Sequence, residues 1–411
     1  MLKEKMLVPQ LRFSEFEEQW IMEEFRKIAN KRKKRFNPKE SDKNFPCIEL
    51  ECLSQETGIL LKKFDSKYQK SIKNIFSKED ILFGKLRPYL RKFLKPDFDG
   101  VCSSEIWVLN GKKVINDYLY FLIQTDRFNY QVNQTSGSKM PRADWDYISQ
   151  IKFNYPQSKE QQKIANFLTS IDNRIQTLEK KKTLLEQYKK GVMQKIFKQE
   201  LRFKDDTSTT LKASDGKEFP EWEEKKFSKF IKLYRGSSPR PINRYLTKEK
   251  SGVNWIKIGD TKASRNYLLE SVSEKITVAG SLKSRKVRKG ELILANSMSF
   301  GKTYILNIDG CIYDGWFVLR EFGDYFEKRF LIQQLNSEHM QRQYKRLSTG
   351  GVVQNISSAI VYSTKLRRPS LKEQTKIANF LSAIDRNIEL VTKKIEHTKT
   401  YKKGLLQQMF V

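Results

Sequence analysis

Apolar residues recur on alternating three- and four-residue steps through two stretches of this chain. In the first they are Leu168, Ile171, Ile175, Leu178, Leu185, Val192 and Ile196, interrupted by Lys182 and Lys189. In the second they are Leu381, Ile384, Ile388, Val391, Ile395, Leu405 and Met409, interrupted by Thr398 and Lys402. This spacing predicts two long helices, over 158–199 and 371–411, each with a seam that asks for a partner helix. Each follows a proline (Pro156, Pro369), with Ser158 and Ser370 placed to cap it. At 1.5 Å per residue such a helix is a rod of roughly 60 Å, the length of a spacer. A single amphipathic helix lying on its own domain would show the same period, but two copies of equal length favour pairing with each other.

Between the helices the pattern shortens to strand-like runs. PCIELECL, EDILFGKL and SSEIWVLN lie in 1–157; NWIKIGD, ELILANS and GWFVLRE lie in 200–370. Asp99-Gly100 and Asp309-Gly310 read as tight turns in matching places. The helices also repeat in sequence: 155–197 aligns with 368–410 without a gap, at a constant offset in numbering, and 21 of 43 positions are identical. A period that long holds a whole domain plus a connector. The fold class expected is α+β: a mixed α/β domain (1–157), a spacer helix (158–199), a second mixed domain (200–370) and a second spacer helix (371–411).

Charge adds a partner. Lys+Arg number 79 against 48 Asp+Glu, a formal net charge of +31 over 411 residues. Any one run, such as 31–35, 180–182 or 283–289, could be a solvated face, but the imbalance of the whole chain favours a phosphate-rich ligand. The 49 aromatic residues argue for folded domains rather than a basic tail. Four cysteines (Cys47, Cys52, Cys102, Cys311) make no disulfide framework and are expected as buried free thiols, Cys47 and Cys52 on a strand. No long apolar run or signal sequence is present, so a cytoplasmic location is expected. Only His339 and His397 are available, and no Walker A loop or strand-linked GxGxxG occurs. A catalytic reading therefore has little to stand on; a basic nucleic-acid-binding scaffold without sequence preference is the alternative.

The two KEQxKIANFLxxID segments (159–172, 372–385), the two YKKGxxxQxxF endings (188–197, 401–410) and the domain openings LRFSEFEEQW (11–20) and EFPEWEEKKF (218–227) resemble the specificity subunit of type I restriction–modification systems. RGSSPRPI (235–242), NWIKIGD (254–260), NSMSFGKTYI (296–305) and TSGSKMPRADWDYIS (135–149) are similar to that family's target recognition domains. The resemblance implies two such domains, each reading one half of a bipartite, asymmetric DNA target. The helices would form an antiparallel coiled coil with pseudo-two-fold symmetry, with Leu168, Ile171, Ile175 and Leu178 of the first and Leu381, Ile384, Ile388 and Val391 of the second as pairing residues. It also implies docking of two modification (methyltransferase) subunits and two restriction (motor-nuclease) subunits. S-adenosylmethionine, ATP and Mg²⁺ would belong to those partners, with no cofactor or metal in this chain.

Readers of base edges need amides, hydroxyls and guanidinium groups, placed by phosphate contacts. In the first domain the candidates are Lys85, Arg87 and Arg91, then Gln134, Ser136, Ser138, Lys139 and Arg142 in a loop containing Gly137. In the second they are Ser237, Ser238 and Arg240, then Asn296, Ser297 and Ser299, then Ser348, Thr349, Gln354 and Asn355 in a loop containing Gly350. Gly137 and Gly350 keep the offset of the helix repeat, which a domain-ending turn would also explain.

Overall fold

The computed structural model describes residues 8–134, 140–204, 211–213, 219–264, 266–297, 301–347 and 355–410. The chain divides into two units, one built from Met1–Glu179 and Lys393–Val411, the other from Lys180–Thr392. The boundary cuts both long helices, which span Ser158–Phe197 and Leu371–Gln408. Each unit thus owns the front of one helix and the back of the other. The first helix already includes Ser158, so only Ser370 stands in a capping position, its Oγ accepting from the Glu373 amide at 3.3 Å.

Beside short two-stranded sheets, each unit has two larger ones, and four strands of each larger sheet run in the same order in both units. In unit 1, one sheet runs Arg35–Phe36, Lys73–Phe76, Gly100–Ser103, Pro46–Ile48, Phe64–Asp65, and the other Ala29–Lys31, Ile106–Gly111, Ile81–Gly84, Phe93–Leu94. In unit 2 the corresponding sheets run Arg285–Val287, Gly310–Ile312, Val253–Ile256, Glu274–Ile276, Leu246–Thr247 and Lys232–Arg235, Trp316–Arg320, Leu292–Ala295, Thr303–Leu306, Leu268–Leu269. Both first sheets contain a parallel pair among antiparallel ones: Cys47 opposite Val101, and Trp255 opposite Cys311. The strand read through Cys52 stops at Ile48, and Cys52 lies in a 3-10 turn over Leu50–Cys52. All four thiols are free and buried, and burial pushes that of Cys47 up to about 12. Gly100 and Gly310 open strands instead of forming turns. A Cβ at Gly100 would lie 2.5 Å from the Pro46 carbonyl, and one at Gly310 2.7 Å from that of Asn254. Close backbone approach therefore requires both glycines.

The repeated helix motif has a physical account. Glu160 and Glu373, at equivalent positions of the repeat, are almost wholly buried at 2% and 0% exposure. Arg12 donates to both oxygens of Glu160 (2.8 and 2.7 Å), joined by the Trp20 indole at 3.3 Å. Arg202 does the same to Glu373 (3.1 and 2.8 Å), joined by Trp222 at 3.0 Å. Such bidentate, charge-assisted pairs fix direction as well as distance. The neighbouring glutamines also act in parallel. Gln161 donates to the Pro156 carbonyl and accepts from the Ile115 amide, and Gln374 donates to Pro369 and accepts from Glu327.

Within each unit the two helix segments run antiparallel. In unit 1, Asp172 pairs with Lys402 at 2.7 Å and Glu179 with Lys399 at 2.6 Å. In unit 2, Lys189 pairs with Asp385 at 2.7 Å, while Arg367, just before the second helix, donates to the Phe197 carbonyl at 3.0 Å. Lys189 and Lys402, the apparent breaks in the apolar seams, are therefore equivalent halves of a duplicated ion pair. Of the seam residues, Leu168, Ile171, Ile175, Leu381, Ile384 and Val391 are buried, while Leu178 and Ile388 are half-buried. The helix ends finish the cores: Leu405, Leu406 and Met409 join that of unit 1, and Val192, Ile196 and Phe197 that of unit 2.

Candidate DNA interface

The end of strand Ile81–Gly84 and the end of strand Leu292–Ala295 lead into matching sites. In unit 1 the Lys85 amide donates to the Glu105 carbonyl at 2.9 Å, and the Ala143 amide donates to the Lys85 carbonyl at 2.8 Å. In unit 2 the Asn296 amide donates to the Gly315 carbonyl at 3.0 Å, and the Ile356 amide donates to the Asn296 carbonyl at 2.7 Å. Ala143 and Ile356 keep the offset of the helix repeat, so the two candidate loops return to the same strand end in both units. Lys85 is the structural counterpart of Asn296, and Arg142 of Asn355.

In unit 1 these bonds gather Lys85, Arg87 and Arg142 around one turn. The Arg87 amide donates to the Pro141 carbonyl at 2.7 Å, Leu86 bridges to Arg142, and Arg142 Nε donates to Glu105 Oε2 at 3.0 Å. Arg87 and Arg91 have φ of 52° and 46°, left-handed conformations that non-glycine residues rarely adopt, on either side of the 3-10 turn Pro88–Leu90. This backbone splays the two side chains: Arg87 is exposed, whereas Arg91 pairs with Asp126 at 2.8 Å and does not join the cluster. Burial lowers Lys31 below its ordinary value, and Lys85 and Lys33 add to the effect while Asp146 opposes it. Gln134 is exposed at the end of the Asp126–Val132 helix, its amide donating to the Tyr130 carbonyl at 3.3 Å.

In unit 2 two separate candidate segments meet at Asp314. Ser238 donates to its Oδ1 at 2.7 Å, Arg240 lies 3.5 Å from Oδ2, and the Asn296 amide group donates to its carbonyl at 2.8 Å. The Ser238 hydroxyl is the main reason the Asp314 carboxyl is held below the usual range. Burial raises the Tyr313 phenol above its ordinary value, and Ser297 opposes that rise. Ser237 reaches the Lys283 carbonyl and faces a basic groove that includes Arg285, Lys286 and Arg288. Asn355 is exposed beside the Ile356–Asn296 contact. Ser136, Ser138, Lys139, Ser299, Ser348, Thr349 and Gln354 lie outside the described residues.

Glu105 and Asp314 escaped a search built on donor side chains, because both are acceptors. Two further repeats were readable but sit at other offsets. LRF occurs at 11–13 and 201–203, and FLIQ at 121–124 and 330–333. The first supplies Arg12 and Arg202. The second supplies Gln124, which accepts from Lys402 at 2.9 Å, and Gln333, which donates to Asp385 at 3.2 Å. Among the described residues there is no group of His, Cys, Asp and Glu fit to hold a metal, and no helix long and apolar enough to cross a membrane.

The same mixed α/β unit is thus built twice, each copy bringing polar candidate side chains to one strand end. Residues 18–187 and 220–399 both match the family described as type I restriction modification DNA specificity domain, and the chain belongs to that family. It is 26% identical over 324 residues to the type I restriction enzyme MjaVIII specificity subunit of Methanocaldococcus jannaschii, covering 75% of this chain and 72% of that one. To the putative MjaX specificity subunit of the same organism it is 28% identical, covering 72% and 68%. Among solved structures, the type I S subunit from M. genitalium superposes with a TM-score of 0.55 at 14% identity, covering 98% of this chain and 99% of that one. A chain from a study of complex assembly and conformational transition of the type I R-M system gives 0.60 at 17% identity, covering 95% and 97%.

Proposed function

We propose that this chain is the sequence-reading subunit of a type I restriction–modification complex, each unit binding one half of a bipartite, asymmetric DNA target. The observation that carries this is the site built twice: in a chain of net charge +31, the same strand end anchors the same returning loop in both units. The side chains around the two anchors differ, Lys85, Arg87 and Arg142 against Ser238, Arg240 and Asn296, so the half-sites should differ. A scaffold without preference would have no use for two differently furnished copies.

The helices act as the ruler and as the docking surface for two modification subunits, which two restriction subunits can join. Tyr188 and Tyr401, at equivalent positions of the repeat, stand 53% and 57% exposed on the helices, with Leu184 and Leu390 similarly exposed. Apolar side chains on an exposed helix face suit a protein partner. Methylation, ATP use and cleavage then belong to those partners, and the working compartment is the cytoplasm.

Inserting four residues after Leu178 tests the ruler. One added helical turn, about 6 Å, should lengthen the preferred spacer by about one or two base pairs at 3.4 Å per pair, with both half-sites unchanged. Mapping methylated sites with the variant reads this directly. A spacer that stays the same would show that the helices do not set the distance.

A further inference from the structure

Glu105 and Asp314 are acids placed where a DNA-binding face should be most basic. Each lies in the turn between the last strand of the first sheet and the long strand of the second: Gly100–Ser103 to Ile106–Gly111 in unit 1, and Gly310–Ile312 to Trp316–Arg320 in unit 2. The two stand one residue apart in register, since Gly315 is the counterpart of Glu105. Each carboxylate faces an arginine, and the arginines come from unrelated segments: Arg142 after the first candidate loop, Arg240 from the loop after strand Lys232–Arg235. The same couple has therefore been assembled twice by different routes, which a shared backbone requirement does not explain. The couples are open to solvent, with side-chain exposures of 48% and 27% for Arg142 and Glu105, and 82% and 39% for Arg240 and Asp314. Pairs so exposed add little to stability, so folding does not account for them.

A carboxylate on this face repels phosphate and can only accept hydrogen bonds. Its useful partner in the major groove is an exocyclic amino group. Adenine N6 is flanked by N7 and by the O4 of its thymine, both acceptors that repel a carboxylate. Cytosine N4 has an acceptor on one side only, the O6 of its guanine, and that O6 with N7 is the preferred target of arginine. A carboxylate beside an arginine therefore matches the two bases of one G·C pair. We propose that each unit reads one G·C pair with such a couple, Glu105 accepting from cytosine and Arg142 donating to guanine in one half-site, Asp314 and Arg240 doing so in the other. Ser238, donating to Asp314 at 2.7 Å, positions that carboxylate. The inference rests on the half-site reading above and names the base pair within it.

The test uses the full chain with the modification subunits of its own system, incubated with randomised DNA duplexes from which bound molecules are sequenced. The unaltered complex should select two half-sites, each with at least one fixed G·C pair. Asp314→Asn keeps the shape and replaces an acceptor by a mixed donor and acceptor. It should relax one pair of one half-site by about tenfold or more, leave every other position unchanged, and bind unselected duplex as well or better because a negative charge is gone. Glu105→Gln should relax one pair of the other half-site, and Arg240→Lys the same pair as Asp314→Asn. If the unaltered complex selects a sequence and Asp314→Asn selects the same one with equal stringency, the couple does not read bases although the half-site reading stands. If Asp314→Asn weakens binding to all duplexes alike, Asp314 is a prop for its loop and the inference fails. If the unaltered complex selects no sequence, the half-site reading fails and takes this inference with it.

Discussion

Replacing Glu373 with alanine should cost about 3–5 kcal/mol of unfolding free energy, because it strands the Arg202 guanidinium in a nearly closed site. Glu373 is fully buried and its two oxygens take three hydrogen bonds from Arg202 and Trp222. Glu160→Ala should do the same in unit 1, where Arg12 and Trp20 lose their acceptor. Denaturant unfolding followed by tryptophan fluorescence measures both, since Trp20 and Trp222 report from the altered sites. Glu373→Gln, which keeps an acceptor for the indole, should lose less. A cost for Glu373→Ala of under about 1 kcal/mol, the range of exposed pairs, would show that the carboxylate does not anchor the helix.

The ion pair in the helix seam should behave differently when both partners go. Lys402→Met alone leaves Asp172 partly buried without its cation, and a loss of about 3–5 kcal/mol is expected. Combining it with Asp172→Leu should restore stability to that of the unaltered chain or above it. The reason is that burial moves Asp172 up and Lys402 down from their ordinary values, outweighing the attraction between them. The signs follow from linkage. A raised Asp172 stabilises most below the usual carboxylate range, and that contribution is lost as pH rises through its raised value. A lowered Lys402 stabilises most above the usual ammonium range, and that contribution is lost as pH falls through its lowered value. Between the two shifted values both are charged and both cost, so the double variant should gain most there. The pair would then serve to fix the antiparallel register rather than to add stability. A double variant no more stable than Lys402→Met would refute this.

Periodicity and an ungapped repeat made the helices readable, because a rigid rod of fixed length tolerates no insertions and its offset stays constant from end to end. The domains tolerate insertions in their loops, so LRF and FLIQ drift to other offsets and drop out of a search at one spacing. The division into units was hidden for another reason. An apolar seam shows that a helix needs a partner, but not which domain each half of it completes. Lys189 and Lys402 were readable only as breaks, since their acids lie far away in sequence. Of the candidate residues, backbone bonds bring Lys85, Arg87 and Arg142 together, side-chain bonds to Asp314 bring Ser238, Arg240 and Asn296 together, and Arg91 turns to Asp126.

Unit 1 is built from the two ends of the described chain, with the Leu11 amide donating to the Gln408 carbonyl at 2.9 Å and the Phe410 ring packed on Tyr118, centroids 5.1 Å apart. A ribosome makes chains from the N-terminus, and domains generally fold as they emerge. The half of the protein synthesised first therefore cannot close its core until 393–411 has left the tunnel, by which time unit 2, contiguous over 180–392, already has all its parts. The order of completion is the reverse of the order of synthesis, and a chain stopped before residue 393 would carry a finished second unit and an open first one.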